Sequence, residues 1–188
     1  MGKDNVPFHT VIFPSSLIAS KQDWTLLHHI STTEYLNYEG GKFSKTHGTG
    51  VFGNNAIELE KEISSEVWRY YLIVNRPETS DSEFCWKDFA DKNNNELLAN
   101  LGNLIHRALQ FIHKEYKQVI PKINPNDITD ADIDFINEVK ERYVKYRELM
   151  NKVELKEGLK FSMEISKRGN KYLQESRFWE KENRDSKR

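Results

Sequence analysis

The sequence predicts a mainly α-helical protein in two parts, a first part with a short hairpin and small helices and a second that is a helical bundle. Two observations carry this. From residue 54 onward apolar residues recur at helical spacing, and β-type patterning is confined to the stretch around residues 30–44.

Taken in order, residues 6–13 are a short apolar stretch that Pro14 is expected to end, and residues 24–27 open a second. The run Ile30-Ser31-Thr32-Thr33 with Tyr35 reads as a strand, turned at Gly40-Gly41 and returning through Lys42-Phe43-Ser44. Five glycines fall within the fourteen residues 40–53, so the segment after Phe43 is expected to be mobile, and mobile loops often carry function. Residues 56–62 and 64–74 read as two short helices, the second presenting Val67, Tyr70, Tyr71 and Val74 on one face. Residues 77–84 read as the connection to the second part, giving units of 1–78 and 79–188.

The second part opens with the longest helix, residues 86–116, whose apolar stripe is Leu97, Leu101, Leu104, Ala108 and Ile112. Gly102 interrupts it at a cost of about 1 kcal/mol relative to alanine, which suggests a close backbone approach there. Helices over 130–150, started by Thr129 with Asp132 three residues on, and over 153–173 complete a bundle.

Composition removes several functional classes. One cysteine cannot form an internal disulfide, and with six scattered histidines it offers no paired zinc-ligand spacing, so no metal ligand is assigned. That usage fits a reducing compartment. No apolar run approaches the roughly 20 residues that span a bilayer. Met1-Gly2-Lys3-Asp4 carries no apolar signal core and Val6 stands where a myristoylation signal has Ser or Thr, so the cytosol is the expected location. Lys and Arg number 28 against 29 Asp and Glu, so net charge gives no support to nucleic-acid binding. The charge is uneven: residues 51–100 hold 5 basic and 10 acidic groups, while residues 151–188 hold 11 and 7.

Two patterns suggest chemistry. In Lys42-Phe43-Ser44-Lys45-Thr46 two lysines three apart can converge on a polyphosphate, where ammonium and backbone N–H groups neutralise developing charge. Taken alone, such a motif is most often an exposed polar turn. On the long helix Asn103, Arg107, Gln110 and Lys114 fall at i, i+4, i+7 and i+11 with no carboxylate among them. Amides and guanidiniums present planar donor arrays suited to the edges of unstacked bases, though such a row by itself is more often a solvated face.

The surrounding residues give these patterns a context. Thr32-Thr33-Glu34-Tyr35-Leu36-Asn37-Tyr38-Glu39-Gly40-Gly41-Lys42-Phe43-Ser44-Lys45, running on to Gly50-Val51-Phe52-Gly53, closely resembles the signature-loop region of the eukaryotic cytosolic methionyl-tRNA synthetase family, class I aminoacyl-tRNA synthetases. The resemblance continues through Glu66-Val67-Trp68-Arg69-Tyr70-Tyr71-Leu72, Asn75-Arg76-Pro77-Glu78, Asn93-Asn94-Asn95-Glu96-Leu97-Leu98 and Asn100-Leu101-Gly102-Asn103, and back over Gly2 to Thr10.

The resemblance implies the C-terminal portion of a Rossmann-type catalytic domain over 1–78 and an incomplete anticodon-binding helical bundle over 79–188. It implies a ligase that activates methionine with ATP and Mg2+ and passes it to tRNA(Met). Lys45 would be the main ATP contact and Lys42 its assistant, with Ser44, Thr46 and Asp4 also at the nucleotide, Asp4 near the ribose. Asn5, His9 and Phe13, four apart and so on one face if helical, would line the methionine pocket. Phe13 taken alone reads as ordinary core. Asn103, Arg107 and Trp179 would meet the anticodon.

Two departures stand out. The family usually continues its loop with Ser-Arg-Gly, where this chain has Thr46-His47-Gly48, and it usually has proline where this chain has Phe178. The class also needs a His-x-Gly-His motif, which does not occur in these 188 residues and which the family places upstream. The chain is therefore expected to be an internal fragment that is inactive alone. Contacts to other synthetases or accessory proteins would lie outside it. A non-catalytic tRNA-binding module or relic is the alternative.

Overall fold

The computed structural model describes residues 1–180. The chain divides into one unit of residues 1–86 and a second from Lys87 onward.

The first unit begins helical, where the sequence places a stop at Pro14. Lys3–Asn5 forms a tight turn, Phe8–Ile12 a widened π-type turn, and α1 runs Phe13–Ala19 with Pro14 in its first turn. Proline breaks a helix by clashing with the carbonyl four residues back, and a widened turn just before it draws that carbonyl away. The apolar residues of this segment do not form a core. Phe8, Val11, Ile12, Phe13 and Ile18 are all exposed.

The expected hairpin over 30–44 is not formed. Strand β1, Leu36–Tyr38, instead pairs in parallel with β2, Ser82–Phe84, in the register Leu36 to Ser82, Asn37 to Glu83 and Tyr38 to Phe84. A further parallel bridge joins Thr33 to Gly2, with Thr33 N donating to Met1 O at 2.8 Å and Lys3 N to Thr33 O at 3.0 Å. The glycine turn reverses the chain for a single bridge, Tyr38 and Gly41 exchanging two 2.8 Å bonds. The chain then departs, because Glu39 N already donates to Phe84 O at 3.0 Å on the neighbouring strand. Residues 82–84 are thus part of the first unit's sheet rather than connection.

Helix α2, Gly53–Glu58, starts three residues earlier than the periodicity suggests because the Asn55 side chain accepts Phe52 N–H at 3.1 Å and caps it. Helix α3 is Ser65–Val74. It buries Trp68, Tyr70 and Tyr71, and sets Trp68 and Tyr71 against Phe84 of β2. Phe84, 2% exposed, is the hub: its ring stacks on Tyr38 and Trp68 at 5.7 and 6.1 Å and meets Tyr71 and Trp86 edge-on at 5.2 and 5.1 Å. The Tyr71 hydroxyl accepts Cys85 N–H at 3.2 Å and donates to Cys85 C=O at 3.3 Å, which pins the chain as it leaves β2.

Helical residues then run from 86 to 115 as α4 (Trp86–Lys92), a π-type stretch (Asn93–Gly102) and α5 (Asn103–Glu115). The widened turns advance the side chains less per residue than an α-helix does, so the inward positions shift. Asn100 is buried where the stripe calls for Leu101, which is exposed. The same geometry accounts for Gly102: a Cβ there would meet the Leu97 carbonyl oxygen of its own helix at 3.1 Å and no atom of another described element within 4 Å. The close approach expected at Gly102 is therefore absent, and the steric constraint is internal to the helix.

Helices α6 (Asp130–Asn151) and α7 (Leu155–Glu175) pack on each other, and α7 packs on the π-type stretch and α5. Thr129 and Asp132 form the expected reciprocal cap, Asp132 N donating to Thr129 Oγ1 at 3.3 Å and Thr129 N to Asp132 Oδ2 at 2.8 Å. Close passage of α7 beneath the long helix occurs at Gly169, where a Cβ would lie 2.8 Å from Leu104 Cδ2. Polar groups also fasten this bundle. Asn100 Nδ2 donates to Met163 O at 3.0 Å, Ser166 Oγ to Asn100 Oδ1 at 2.8 Å, and Asn170 Nδ2 to Asn100 O at 2.8 Å. Between α6 and α7, Arg168 donates to Glu138 at 2.9 Å and covers the Phe135 ring at 5.2 Å, while the Phe135 and Tyr172 rings stack at 4.2 Å. Burial, together with the Asp132 carboxylate that its hydroxyl donates to, pushes Tyr172 up to about 12.

Candidate functional site

The two-lysine segment is a small hairpin in its own right. Ser44 and Thr49 pair through bonds of 2.8 and 2.9 Å, and Lys45 to Gly48 form the turn, closed by Gly48 N to Lys45 O at 3.3 Å and His47 N to Ser44 Oγ at 3.3 Å. Gly48 takes φ +63°, a left-handed value that suits glycine. The turn is exposed at Lys45, Thr46 and His47, and neither Lys42 nor Lys45 pairs with a described acidic group.

What fixes the hairpin's base is Phe43. Its ring packs against Tyr38 at 5.2 Å and Phe52 at 6.4 Å and lies over Gly50, whose φ is +135°. A Cβ on Gly50 would come within 2.3 Å of that ring. Gly50→Ala is therefore expected to cost about 1–3 kcal/mol through backbone strain and overpacking, and to loosen the hairpin. Amide exchange at Ser44 and Thr49 measures this, and unchanged protection would show that Phe43 is not the anchor.

The two lysines do not face one hollow. Lys42 lines one of about 510 Å3 with Asn37, Gly41, Asp81 and Glu83, while Lys45 lines another of about 810 Å3 with Tyr38, Phe52, Asn54 and Trp86. The second is the roomier, floored by aromatic rings and rimmed by Gly48, Gly50 and Gly53. Lys45 is thus the lysine with space for a bulky ligand beside it.

Asp4 sits beside the edge of the sheet and accepts the Tyr35 hydroxyl; that bond holds the Tyr35 phenol above its ordinary range. Lys3 pairs with Glu34 and, at 3.6 Å, with Asp81, and its ammonium lies 4.5 Å from the Tyr35 ring centroid. Its hydrogen bond to Glu34 holds Lys3 above its usual value. Asp81, which lines the Lys42 hollow, also accepts Tyr35 N–H at 3.0 Å. The cluster therefore ties the amino-terminal segment to the strand that leads into the lysine hairpin. Neither Tyr35 nor Asp81 stands out in the sequence, since only the parallel pairing places them here.

Asn5, His9 and Phe13 do fall on a helical segment. His9 Nδ1 lies 2.9 Å from Asn5 O; a carbonyl can only accept, so Nδ1 carries a proton and donates it there, which leaves the Nε2 edge turned away from that bond. Phe13 is 59% exposed, which removes the core reading of that residue among the described residues.

In the second unit Arg107 and Trp179 are brought together, the guanidinium 5.8 Å from the indole centroid. Asn103, one turn before Arg107, donates through Nδ2 to Asn170 Oδ1 at 3.1 Å and so also belongs to the edge of the Asn100 network. Gln110 and Lys114 continue the row, both exposed. The neighbour the sequence does not reveal is Phe111, which meets Phe178 at 4.5 Å and Tyr116 at 5.9 Å.

A small parallel sheet issuing into a lysine-bearing hairpin, followed by a helical unit, has a match among known proteins. The family described as tRNA synthetases class I (M) matches residues 1–109, more than half of the chain, and the chain belongs to that family. It is similar to the cytoplasmic methionine–tRNA ligase of Saccharomyces cerevisiae, 52% identical over 179 residues that cover 94% of this chain and 23% of the yeast protein. A probable cytoplasmic methionine–tRNA ligase of Dictyostelium discoideum is 52% identical over 190 residues, covering 100% of this chain and 25% of the relative. The chain thus spans about a quarter of the length of these curated relatives. Among solved structures, Mycobacterium tuberculosis methionyl-tRNA synthetase in complex with methionyl-adenylate superposes with a TM-score of 0.81 at 23% identity, covering 95% of this chain and 34% of that one. At that identity the likeness is one of fold.

Proposed function

We propose that this chain is the segment of a cytoplasmic methionine–tRNA ligase that carries the ATP-closing loop and most of the tRNA-reading bundle. On this reading the first unit, residues 1–86, completes a Rossmann-type catalytic domain and the second, from Lys87 onward, binds the anticodon stem-loop. The observation that carries it is the exposed hairpin over residues 42–48, whose two lysines are unpaired among the described residues, in a chain whose relatives over nearly its whole length are methionine–tRNA ligases.

The chemistry asked of these residues is limited and specific. The methionine carboxylate attacks the α-phosphorus of ATP, and the bond to pyrophosphate breaks, leaving methionyl-adenylate; the adenylate carbonyl is then attacked by the tRNA terminal hydroxyl, and AMP leaves. Negative charge grows on the pyrophosphate in the first step. Lys45, with Lys42 assisting and Ser44 and Thr46 donating hydroxyl bonds, neutralises it more in the transition state than in the ground state. Mg2+ enters on ATP as part of the substrate. Asp4 accepts from a ribose hydroxyl, and His9 and Phe13 offer the methionine side chain a polar corner and an apolar wall, with Asn5 holding the His9 ring.

A graft tests the whole reading. Replacing the matching 179-residue segment of the Saccharomyces cerevisiae enzyme with this chain should retain methionine-dependent ATP–pyrophosphate exchange and tRNA charging. Charging lost with exchange intact would leave only the catalytic assignment; loss of exchange from a folded graft would favour a non-catalytic RNA-binding module.

Within that graft, Arg107→Ala should leave exchange unchanged, since activation involves no tRNA, and should weaken charging of tRNA with the CAU anticodon. Loss of a base-reading guanidinium is worth roughly 1–3 kcal/mol by analogy with duplex readout. The comparison is with a tRNA already mutated in the anticodon, where the loss should be small. Equal losses on both would reduce Arg107 to a phosphate contact or a support for Trp179.

A further inference from the structure

We propose that Phe178 is the positioning residue that sets the Trp179 ring for base stacking, acting through Phe111 on the long helix. The inference rests on the anticodon reading of Trp179 given above and adds to it how the ring is held.

The path begins at the end of α7. Ser176 is still helical, but Arg177 takes φ +42°, the left-handed conformation that turns a chain off a helix. The residue after such a turn commonly packs on the last turn of its own helix, but here it reaches across to another helix. It is Phe178, half-buried, whose ring meets Phe111 nearly perpendicularly at 4.5 Å, the tight end of the range for aromatic pairs. Phe111 in turn is flanked by Tyr116 at 5.9 Å. Trp179 follows, 42% exposed, with its ring edge-on to Phe178 at 5.2 Å and Arg107 over it at 5.8 Å. Phe178 thus has an anchored ring on one side and the exposed indole on the other, and two aromatic contacts in series connect α5 to Trp179. An indole held in one orientation loses less freedom on stacking than one on an untethered loop.

The test uses the full 188-residue chain labelled with 5-fluorotryptophan, which reports four tryptophans by fluorine NMR, the Trp179 line being identified by its loss in Trp179→Ala. Phe178→Ala should move or broaden that line alone, with helix content by circular dichroism unchanged, and Phe178→Tyr should restore it. Affinity for an RNA hairpin whose loop carries CAU should fall in Phe178→Ala by about 5-fold to 150-fold, the range one base–aromatic stack covers, and should fall equally in Trp179→Ala. The double variant should bind no worse than Trp179→Ala, because Phe178 acts only through the indole. A Trp179 line that stays in place in Phe178→Ala, or additive losses in the double variant, would overturn the proposal. A moved line combined with unchanged RNA affinity in Trp179→Ala would instead refute the anticodon reading of Trp179 while leaving the positioning by Phe178 in place.

Discussion

Phe84→Ala should destabilise the first unit by about 3–5 kcal/mol, the range for truncating a fully buried aromatic ring. Phe84 is 2% exposed, and its ring touches Tyr38 of β1, Trp68 and Tyr71 of α3, and Trp86 of α4. Its removal leaves a cavity where two strands and two helices meet, and few of those elements can collapse onto it. The backbone at Phe84 also accepts Glu39 N–H, so the amide of Glu39 reports on the same junction. Hydrogen exchange at Asn37 and Glu39 under increasing urea should show the opening free energy fall by this amount. Phe84→Leu keeps most of the volume and should lose under about 1.5 kcal/mol. A drop below about 1 kcal/mol for the alanine variant would mean that the aromatic cluster is not what holds β1 and β2 in register.

The helices after residue 53 were legible because their signals are local, whereas Pro14 hid the helical start of the chain. Thr129 with Asp132 marks the start of α6 within one turn, and Pro77 closes the region after α3. The sheet was not. Leu36–Tyr38 and Ser82–Phe84 are three residues each, too short for alternation to show, and their partners are 46 residues apart in the chain. A glycine pair beside a β-branched run suggests a hairpin, but the sheet edge that a returning strand would have used is taken by Phe84. The π-type stretch defeats a fixed helical period in the same way, which is why Asn100 and not Leu101 points into the bundle. For the site, residue types and spacing pointed to the lysines and to Arg107, the family resemblance alone to Trp179, and the structure joins the latter pair. The supports, Phe43 on Gly50 and Phe178 on Phe111, carry no chemical signature in the sequence, because an aromatic residue that holds a loop reads like any other aromatic.

Lys45→Ala, made in the grafted ligase, should slow methionyl-adenylate formation about 100-fold to 1,000-fold, corresponding to roughly 2.7–4 kcal/mol, the loss measured for a single preorganised charge-stabilising donor. The magnitude follows from placement. Lys45 stands on the turn of an exposed hairpin and lines the larger hollow, and no described carboxylate competes for its ammonium. Because pyrophosphate charge develops only as its bond to the α-phosphorus breaks, the effect should fall on the single-turnover activation rate, leaving methionine affinity nearly unchanged. Lys42, beside Asp81 and Glu83 in the other hollow, already has carboxylates around it, so Lys42→Ala should cost clearly less. Lys45 is the one lysine or arginine among the turn residues 45–48, so the permanent charge of the turn, and the loss on removing it, are concentrated there. Lys45→Arg should recover part of the rate by restoring charge without the compact ammonium geometry. An unchanged activation rate in Lys45→Ala, or a loss confined to methionine KM, would remove this hairpin from the chemistry and leave it a surface turn.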